Sequence, residues 1–126
     1  MSLKPHPLHH DPGDREAMKS LFSIPAELPR PEEFSEILAR SGDCAVERIV
    51  SHGHATPPGD WFDQETDEWV AVLQGDARLK FHDGSDLEMH AGDWILIPAH
   101  RRHRVEQTSD NPPCVWIAFH FPSHST

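Results

Sequence analysis

The chain has 126 residues, a formal net charge of −10 and a sequence pI near 5.4. This length allows one domain with a hydrophobic core and is too short for two. The acidic charge argues against nucleic acid and anionic lipid as partners, because both bind clustered Lys and Arg.

Cysteines and apolar runs exclude further classes of protein. Cys44 and Cys114 form no CxxC pattern, so neither a zinc ribbon nor a disulfide scaffold is indicated. No apolar run approaches the ~20 residues that a membrane helix needs, and the first residues lack the apolar stretch of a signal peptide. We therefore expect a cytoplasmic protein with no membrane partner.

The first 18 residues mix Pro, His, Asp and Gly without hydrophobic periodicity. This pattern predicts a mobile arm over residues 1–18, followed by one domain over residues 19–126. Because the arm holds little apolar surface, its deletion should leave the thermal unfolding midpoint almost unchanged. A drop of many degrees in the truncated chain would show that the arm is docked.

Residues 31–42, PEEFSEILARSG, have the pattern of one short amphipathic helix. Pro31 favours a first helical turn, acidic residues follow it at the positive end, and Gly42 would end the helix. The apolar positions would lie on one side; they are Phe34, Ile37 and Leu38.

After Gly42 the pattern changes to short β-strands separated by turns such as QGD and HDGSD. The predicted strands are CAVERIV, EWVAVL, ARLKF, DWILI, RHRVEQ and CVWIAFHF. Many short strands with regular turns predict an antiparallel sandwich or barrel. Since DWILI is apolar on both faces, we expect it between two layers or at a subunit contact.

One segment, GDWILIPAHRRHRVEQ, resembles the second motif of the cupin superfamily. Gly92, Pro98 and His103 fall on the glycine, proline and histidine of that motif. His100 replaces the second glycine of the motif, and Gln107 replaces its final asparagine.

A second segment matches the end of the first cupin motif at Glu68 and Gly75, and 16 residues separate Gly75 from Gly92. The resemblance covers residues 44–121. It implies an all-β fold, a cupin-type jelly-roll β-barrel, to which the predicted helix would be an N-terminal addition.

The resemblance also implies a metal site, because cupins hold a metal with an H-x-H pair, the glutamate of the first motif and the histidine of the second. In this chain the H-x-H positions are occupied by Trp61 and Asp63 in one spacing and by Phe62 and Gln64 in the other. Both histidines are therefore absent. The donors that remain at motif positions are Asp63 or Gln64, Glu68 and His103.

Other histidines have separate interpretations. His52 and His54 form an H-x-H, but 13 residues separate His54 from Glu68, so we interpret both as loop residues. His120 lies in an otherwise apolar strand and needs a partner if it is buried. It is either a core histidine bonded to a carboxylate or carbonyl, or a replacement ligand beside Glu68 and His103.

A site of Asp63 or Gln64 with Glu68, His103 and His120 would suit Fe, Mn, Ni or Zn as divalent ions, rather than copper(I). Alternatively, a direct hydrogen bond between Glu68 and protonated His103 would satisfy both groups without metal. The sequence leaves both alternatives open.

The predicted function is that of a small cupin-domain protein with a divalent-metal site in the barrel, acting on or binding a small organic molecule. The alternative is a non-catalytic ligand-binding or sensor cupin without metal. Whether the protein is an enzyme stays open, because many chemistries share this barrel.

We also predict a homodimer. DWILI is apolar on both faces, and the resemblance implies pairing of cupins through sheet edges. Such an interface should bury more than ~1,000 Å². A monomer mass in light scattering at micromolar concentration would contradict this prediction.

Overall fold

A computed structural model describes residues 18–24 and 33–123. In these residues the fold is all-β, as the sequence predicted, and no helix is long and apolar enough to cross a membrane. Residues 1–17 of the predicted arm lie outside the described ranges. The strands are β1 Phe34–Ser41, β2 Cys44–Ser51, β3 Thr66–Gln74, β4 Asp76–Phe81, β5 Asp86–His90, β6 Trp94–Ile97, β7 His103–Thr108 and β8 Cys114–Pro122.

The strands form two antiparallel sheets with the core between them. The five-stranded sheet has the order β1-β2-β8-β3-β6, and the three-stranded sheet has the order β5-β4-β7. Alternation of apolar residues along β3, β4 and β8 turns one side of each strand inward. The core side chains include Val70, Val72, Leu79, Phe81, Met89, Ile97, Trp116 and Ala118.

The helix predicted over residues 31–42 is wrong, because residues 34–41 form strand β1. β1 pairs with β2 from Phe34 opposite Val50 to Ser41 opposite Cys44, and its register shifts between Ile37 and Ala39. Phe34, Ile37 and Leu38 have the three- and four-residue spacing of a helix, but in β1 the side chains of Ile37 and Leu38 are exposed. Pairing with β2 then outweighs the local helical preference.

Arg48 of β2 fixes the segment 18–24 to the outer face of the five-stranded sheet, the face turned away from the other sheet. Its Nη1 atom donates to the carbonyl oxygens of Leu21 at 2.9 Å and Ser23 at 2.5 Å. Its Nε and Nη2 atoms bind Glu36 Oε1 of β1 at 2.8 and 2.7 Å. The buried guanidinium therefore ties two strands and the preceding segment together.

The DWILI segment forms the edge strand β6, which is buried on one side alone. Ile97 is buried in the core, whereas the side chains of Trp94 and Leu96 are exposed on the outer face. Trp94 lies against Trp69, and Trp69 against Phe119, with ring centroids 5.6 and 5.4 Å apart. The homodimer stays a prediction, and we expect its contact to lie on this aromatic surface.

Gly75 connects β3 of one sheet to β4 of the other. Its φ angle is 83°, in the left-handed region that favours glycine. A Cβ atom at this position would lie 2.9 Å from the carbonyl oxygen of Pro113 and 3.0 Å from the Cα atom of Cys114. The glycine of the first motif therefore allows the β3–β4 connection to approach the start of β8 closely.

Candidate functional site

A cavity of about 220 Å³ lies between the two sheets. Most of its wall is apolar, formed by Ile49, Phe62, Val70, Leu79, Ile97, Val105 and Trp116. The polar side chains in the wall are Glu33, Ser35, Glu47, Gln64, Glu68, His103 and His120.

Strand register explains why the polar groups meet. Glu68 shares the inner face of β3 with Val70, and it lies opposite His120 of β8 on one side and Ile97 of β6 on the other. His103 begins β7 and pairs with Phe81 of β4 in the facing sheet. The two motif residues thus approach each other from opposite sheets.

Glu68 and His103 face each other without a direct hydrogen bond. His103 Nε2 lies 3.8 Å from Glu68 Oε1, which is too long for one, and both side chains are nearly buried. His103 Nδ1 is 2.9 Å from the carbonyl oxygen of Arg101. Because a carbonyl can only accept, Nδ1 carries a proton and Nε2 is left to face Glu68.

Glu68 Oε1 is buried and has no hydrogen-bond partner among the described residues. Burial raises the pKa of Glu68 above its ordinary value of 4.5, and this desolvation outweighs the attraction of His120 and His103. The side chains of Glu68 and His103 both line the cavity, so they are the polar groups of opposite sheets that a ligand there would meet.

His120 is bonded to a carboxylate and lines the cavity at the same time. Its Nε2 atom lies 2.8 Å from Glu47 Oε1, and the hydroxyl of Ser35 donates to the other oxygen of Glu47. The hydrogen bond to Glu47 raises the pKa of His120, and the same bond lowers the pKa of Glu47. The pair is therefore an ion pair held between β2 and β8.

Replacing Glu47 with glutamine should lower the free energy of unfolding by about 1 kcal/mol near pH 6. Because the pKa of His120 is raised, the protonated histidine stabilises the fold fully at pH values below its ordinary pKa of 6.5. This stabilisation is lost as pH rises through the pKa of His120 in the folded protein. The lowered pKa of Glu47 stabilises the fold above 4.5, and this part is lost as pH falls through the folded value. Between about pH 4.5 and 6.5 the pair contributes most.

Denaturant unfolding of the wild type and Glu47→Gln between pH 5 and pH 9 measures this difference. We expect the difference to shrink as pH rises above 6.5. The control is Glu106→Gln, which removes an exposed carboxylate paired with Arg104 and should show no such trend. A difference that grows with pH would contradict the assignment of the ion pair.

Of the two residues at the first-motif position, Gln64 lines the cavity and Asp63 does not. Asp63 Oδ1 instead lies 2.8 Å from Nδ1 of His100, on the surface. His100 occupies the glycine position of the second motif and has a φ angle of 64°. Its backbone N–H donates to the carbonyl oxygen of Gln64 at 2.8 Å, which fixes this loop.

The loop histidines are remote from the cavity lining. The backbone N–H of His52 donates to His54 Nδ1 at 2.8 Å, and His52 Nδ1 lies 3.3 Å from Asp110. Neither residue lines the cavity. Their interpretation as loop residues agrees with these positions.

The possible metal ligands in the described part of the cavity are too few, as arranged, for a divalent-metal centre. Glu68 Oε1 and His103 Nε2 face each other, but His120 Nε2 is engaged by Glu47. Within residues 18–24 and 33–123, no group of three or more His, Cys, Asp or Glu side chains is arranged to hold a metal ion. As arranged, these residues do not fit a centre with three protein ligands, the usual number in catalytic zinc and non-haem iron sites.

Sequence reasoning missed the polar residues that β1 and β2 bring to the cavity. Glu47 pairs with His120, and Glu33 Oε2 accepts a hydrogen bond from the hydroxyl of Ser51 at 2.8 Å. One signal was present: Glu47 stands inside the apolar strand CAVERIV, as His120 stands inside the last strand. A charged residue inside an apolar strand indicates a buried partner, although CAVERIV also holds Arg48 and the sequence does not show which charge meets His120.

Residues 46–120 match the protein family described as Cupin domain. This match covers more than half of the 126 residues. The chain therefore belongs to the cupin family, as its two motifs predicted.

Individual relatives show how this chain compares with known proteins. A Ralstonia eutropha JMP134 protein, provisionally named mannose-6-phosphate isomerase, is 38% identical, with a TM-score of 0.76 over 84% of this chain and 98% of that chain. A cupin superfamily protein of Desulfitobacterium hafniense DCB-2 is 18% identical, with a TM-score of 0.64 over 77% of this chain and 84% of that one, and supports the fold alone.

One curated enzyme is also similar. The 3-hydroxyanthranilate 3,4-dioxygenase of Brucella anthropi is 28% identical over 88 residues, which are 66% of this chain and 47% of the enzyme. This chain thus spans about half the length of that dioxygenase.

Proposed function

We propose that this protein binds a small, partly apolar organic molecule in the barrel cavity, with Glu68 and His103 contacting the polar end of the molecule. One observation carries the proposal: Glu68 Oε1, which is buried and has no hydrogen-bond partner within residues 18–24 and 33–123, faces His103 Nε2 at 3.8 Å inside a largely apolar cavity. Apolar walls with few convergent polar groups are typical of small-molecule sites.

Energetics support a ligand at this position. A buried carboxylate oxygen without a donor costs on the order of 1–3 kcal/mol, so a fold with no use for it would gain from an apolar or amide residue there. A hydroxyl or amine of a ligand would satisfy Glu68 Oε1, while the hydrocarbon part would contact the apolar walls.

The same pair of residues is suited to proton transfer. Burial raises the pKa of Glu68, and carboxyl groups tuned in this way act as general acids or bases near neutral pH. We therefore propose acid–base chemistry on the bound molecule. Isomerisation of a hydroxy-carbonyl compound is a reaction of this kind, and the name of the Ralstonia relative makes it the first reaction to assay.

A divalent-metal enzyme is the second candidate, because two possible metal ligands, Glu68 Oε1 and His103 Nε2, face each other. Among the described residues, no hydrogen-bond donor engages Glu68 Oε1. For Fe, Mn, Ni or Zn, a third protein ligand would have to come from Gln64, or from His120 after release from Glu47. Elemental analysis of protein purified without an affinity tag separates the two candidates.

The second candidate would be supported by a metal content near one equivalent per chain in the wild type. This metal should be lost in His103→Ala and kept in the double variant His52→Ala, His54→Ala. No stoichiometric metal in any of these proteins would support the first.

Crystallographic fragment screening tests the binding proposal directly. We expect bound fragments to cluster between Glu68 and His103 in the wild type and to be lost from this position in Glu68→Gln and His103→Gln. The loop double variant His52→Ala, His54→Ala should keep them. Fragments that bind elsewhere and avoid the cavity would refute the proposal.

A further inference from the structure

The described residues that line the cavity include three carboxylates, Glu33, Glu47 and Glu68, and no Lys or Arg. We infer that the ligand is a neutral or cationic molecule, an alcohol or an amine, and not a phosphate ester or a carboxylate. This inference deepens the proposed function and rests on it.

The carboxylates are not equally neutralised. Glu47 is balanced by His120 at 2.8 Å. In the part of the chain that the structure describes, no group donates a hydrogen bond to Glu68 Oε1, and His103 Nε2 lies 3.8 Å from it. Glu33 accepts a hydrogen bond from the neutral hydroxyl of Ser51, and within the described residues it forms no salt bridge. With Glu47 balanced, Glu68 and the solvent-exposed Glu33 are the carboxyl groups in the described part of the wall without a matching cation.

The described arginines that flank the site do not line the cavity. Arg101 stacks on the ring of Phe81, with its guanidinium carbon 3.8 Å from the ring centroid, and lies near Asp83. Arg104 donates to the carbonyl oxygen of Thr56 at 2.9 Å and binds Glu106. Arg48 lies on the outer face of the five-stranded sheet, bound to Leu21, Ser23 and Glu36.

An anion in this cavity would lose its hydration and face carboxylates without a matching cation, and like charges in contact disfavour binding strongly. An alcohol or ammonium group would instead donate to Glu68 Oε1, and hydrogen bonds to charged groups are the stronger ones. The names of the Ralstonia and Brucella relatives refer to a sugar phosphate and an aromatic carboxylate. Among the described residues, the cavity wall lacks the cationic side chains that such anions need.

Three probes of nearly the same shape test the charge preference: benzylamine, benzyl alcohol and benzoate. Isothermal titration calorimetry near neutral pH should show saturable binding of the amine and the alcohol, each at least about tenfold tighter than benzoate. In Glu68→Gln the affinity for benzylamine should fall about tenfold or more, because the carboxylate contact is lost. The control Glu106→Gln, on the surface, should change none of the three.

The outcomes separate the inference from the proposed function. The inference would be overturned if benzoate or mannose 6-phosphate bound as tightly as benzyl alcohol. If this binding were lost in His103→Gln, the proposed binding site would still hold. Binding of the amine that persists unchanged in Glu68→Gln would also overturn the inference. Saturable binding of none of the probes would overturn the proposed function and the inference together.

Discussion

Gly75→Ala is expected to lower the free energy of unfolding by about 2–4 kcal/mol. Part of this loss comes from the φ angle of 83°, which an L-residue adopts at a cost. The larger part comes from the close approach, because a Cβ atom would lie 2.9 Å from the carbonyl oxygen of Pro113. The Pro113 and Cys114 atoms are backbone, so relief requires the β3–β4 connection to move away from the start of β8.

Gly84→Ala is the matched control for this prediction. Gly84 also has a positive φ, 99°, but nothing lies within 4 Å of a Cβ atom built there. Its alanine variant should lose about 1 kcal/mol, the conformational part alone. Equal losses in the two variants, measured by denaturant unfolding, would show that the approach at Gly75 is looser than the structure indicates.

Glu68→Gln is expected to raise the free energy of unfolding by about 1–3 kcal/mol at neutral and alkaline pH while lowering the affinity for benzylamine about tenfold or more. The amide removes a buried charge, and its N–H can donate to Nε2 of His103. A variant that is more stable and binds more weakly is the pattern expected when a residue is kept for function at a cost in stability.

The sign of the pH dependence follows from the raised pKa of Glu68. The folded state holds this proton more tightly than the unfolded chain, so the wild type loses stability as pH rises from 4.5 through the folded value. The gain of Glu68→Gln should therefore grow with pH over that interval and then level off. Glu106→Gln should show no gain. A Glu68→Gln variant that is less stable at every pH would mean that a bound cation stabilises the ionised carboxylate.

The barrel could be predicted because its signals are local. Alternation in ARLKF and in the last strand identifies inward faces, and Gly75, Gly92 and His103 occupy motif positions that the backbone geometry explains. β1 was missed for a physical reason: Phe34, Ile37 and Leu38 have the three- and four-residue spacing of a helix, and no alternation of apolar residues marks the strand. Only the register with β2 distinguishes the two, and register is not a local property.

The candidate site was predictable at Glu68 and His103 and less so elsewhere. The choice between Asp63 and Gln64 depends on a loop fixed by two backbone hydrogen bonds that Phe62 exchanges with His103, at 2.7 and 3.1 Å. The partner of His120 depends on which strand lies beside β8. Since β2 lies far from β8 in sequence, Glu47 could be recognised as unusual but not assigned to His120.

Trp116 gives the cavity an optical reporter of its own. Its indole N–H donates to the hydroxyl oxygen of Ser51 at 3.3 Å, and its ring forms part of the cavity wall. Trp69 and Trp94 stack on the outer face, and Trp61 lies against His82, so their fluorescence should change little when the cavity fills. A ligand beside Trp116 should shift or quench the emission of unlabelled protein, and Trp116→Phe should remove this signal while leaving Glu68 and His103 in place.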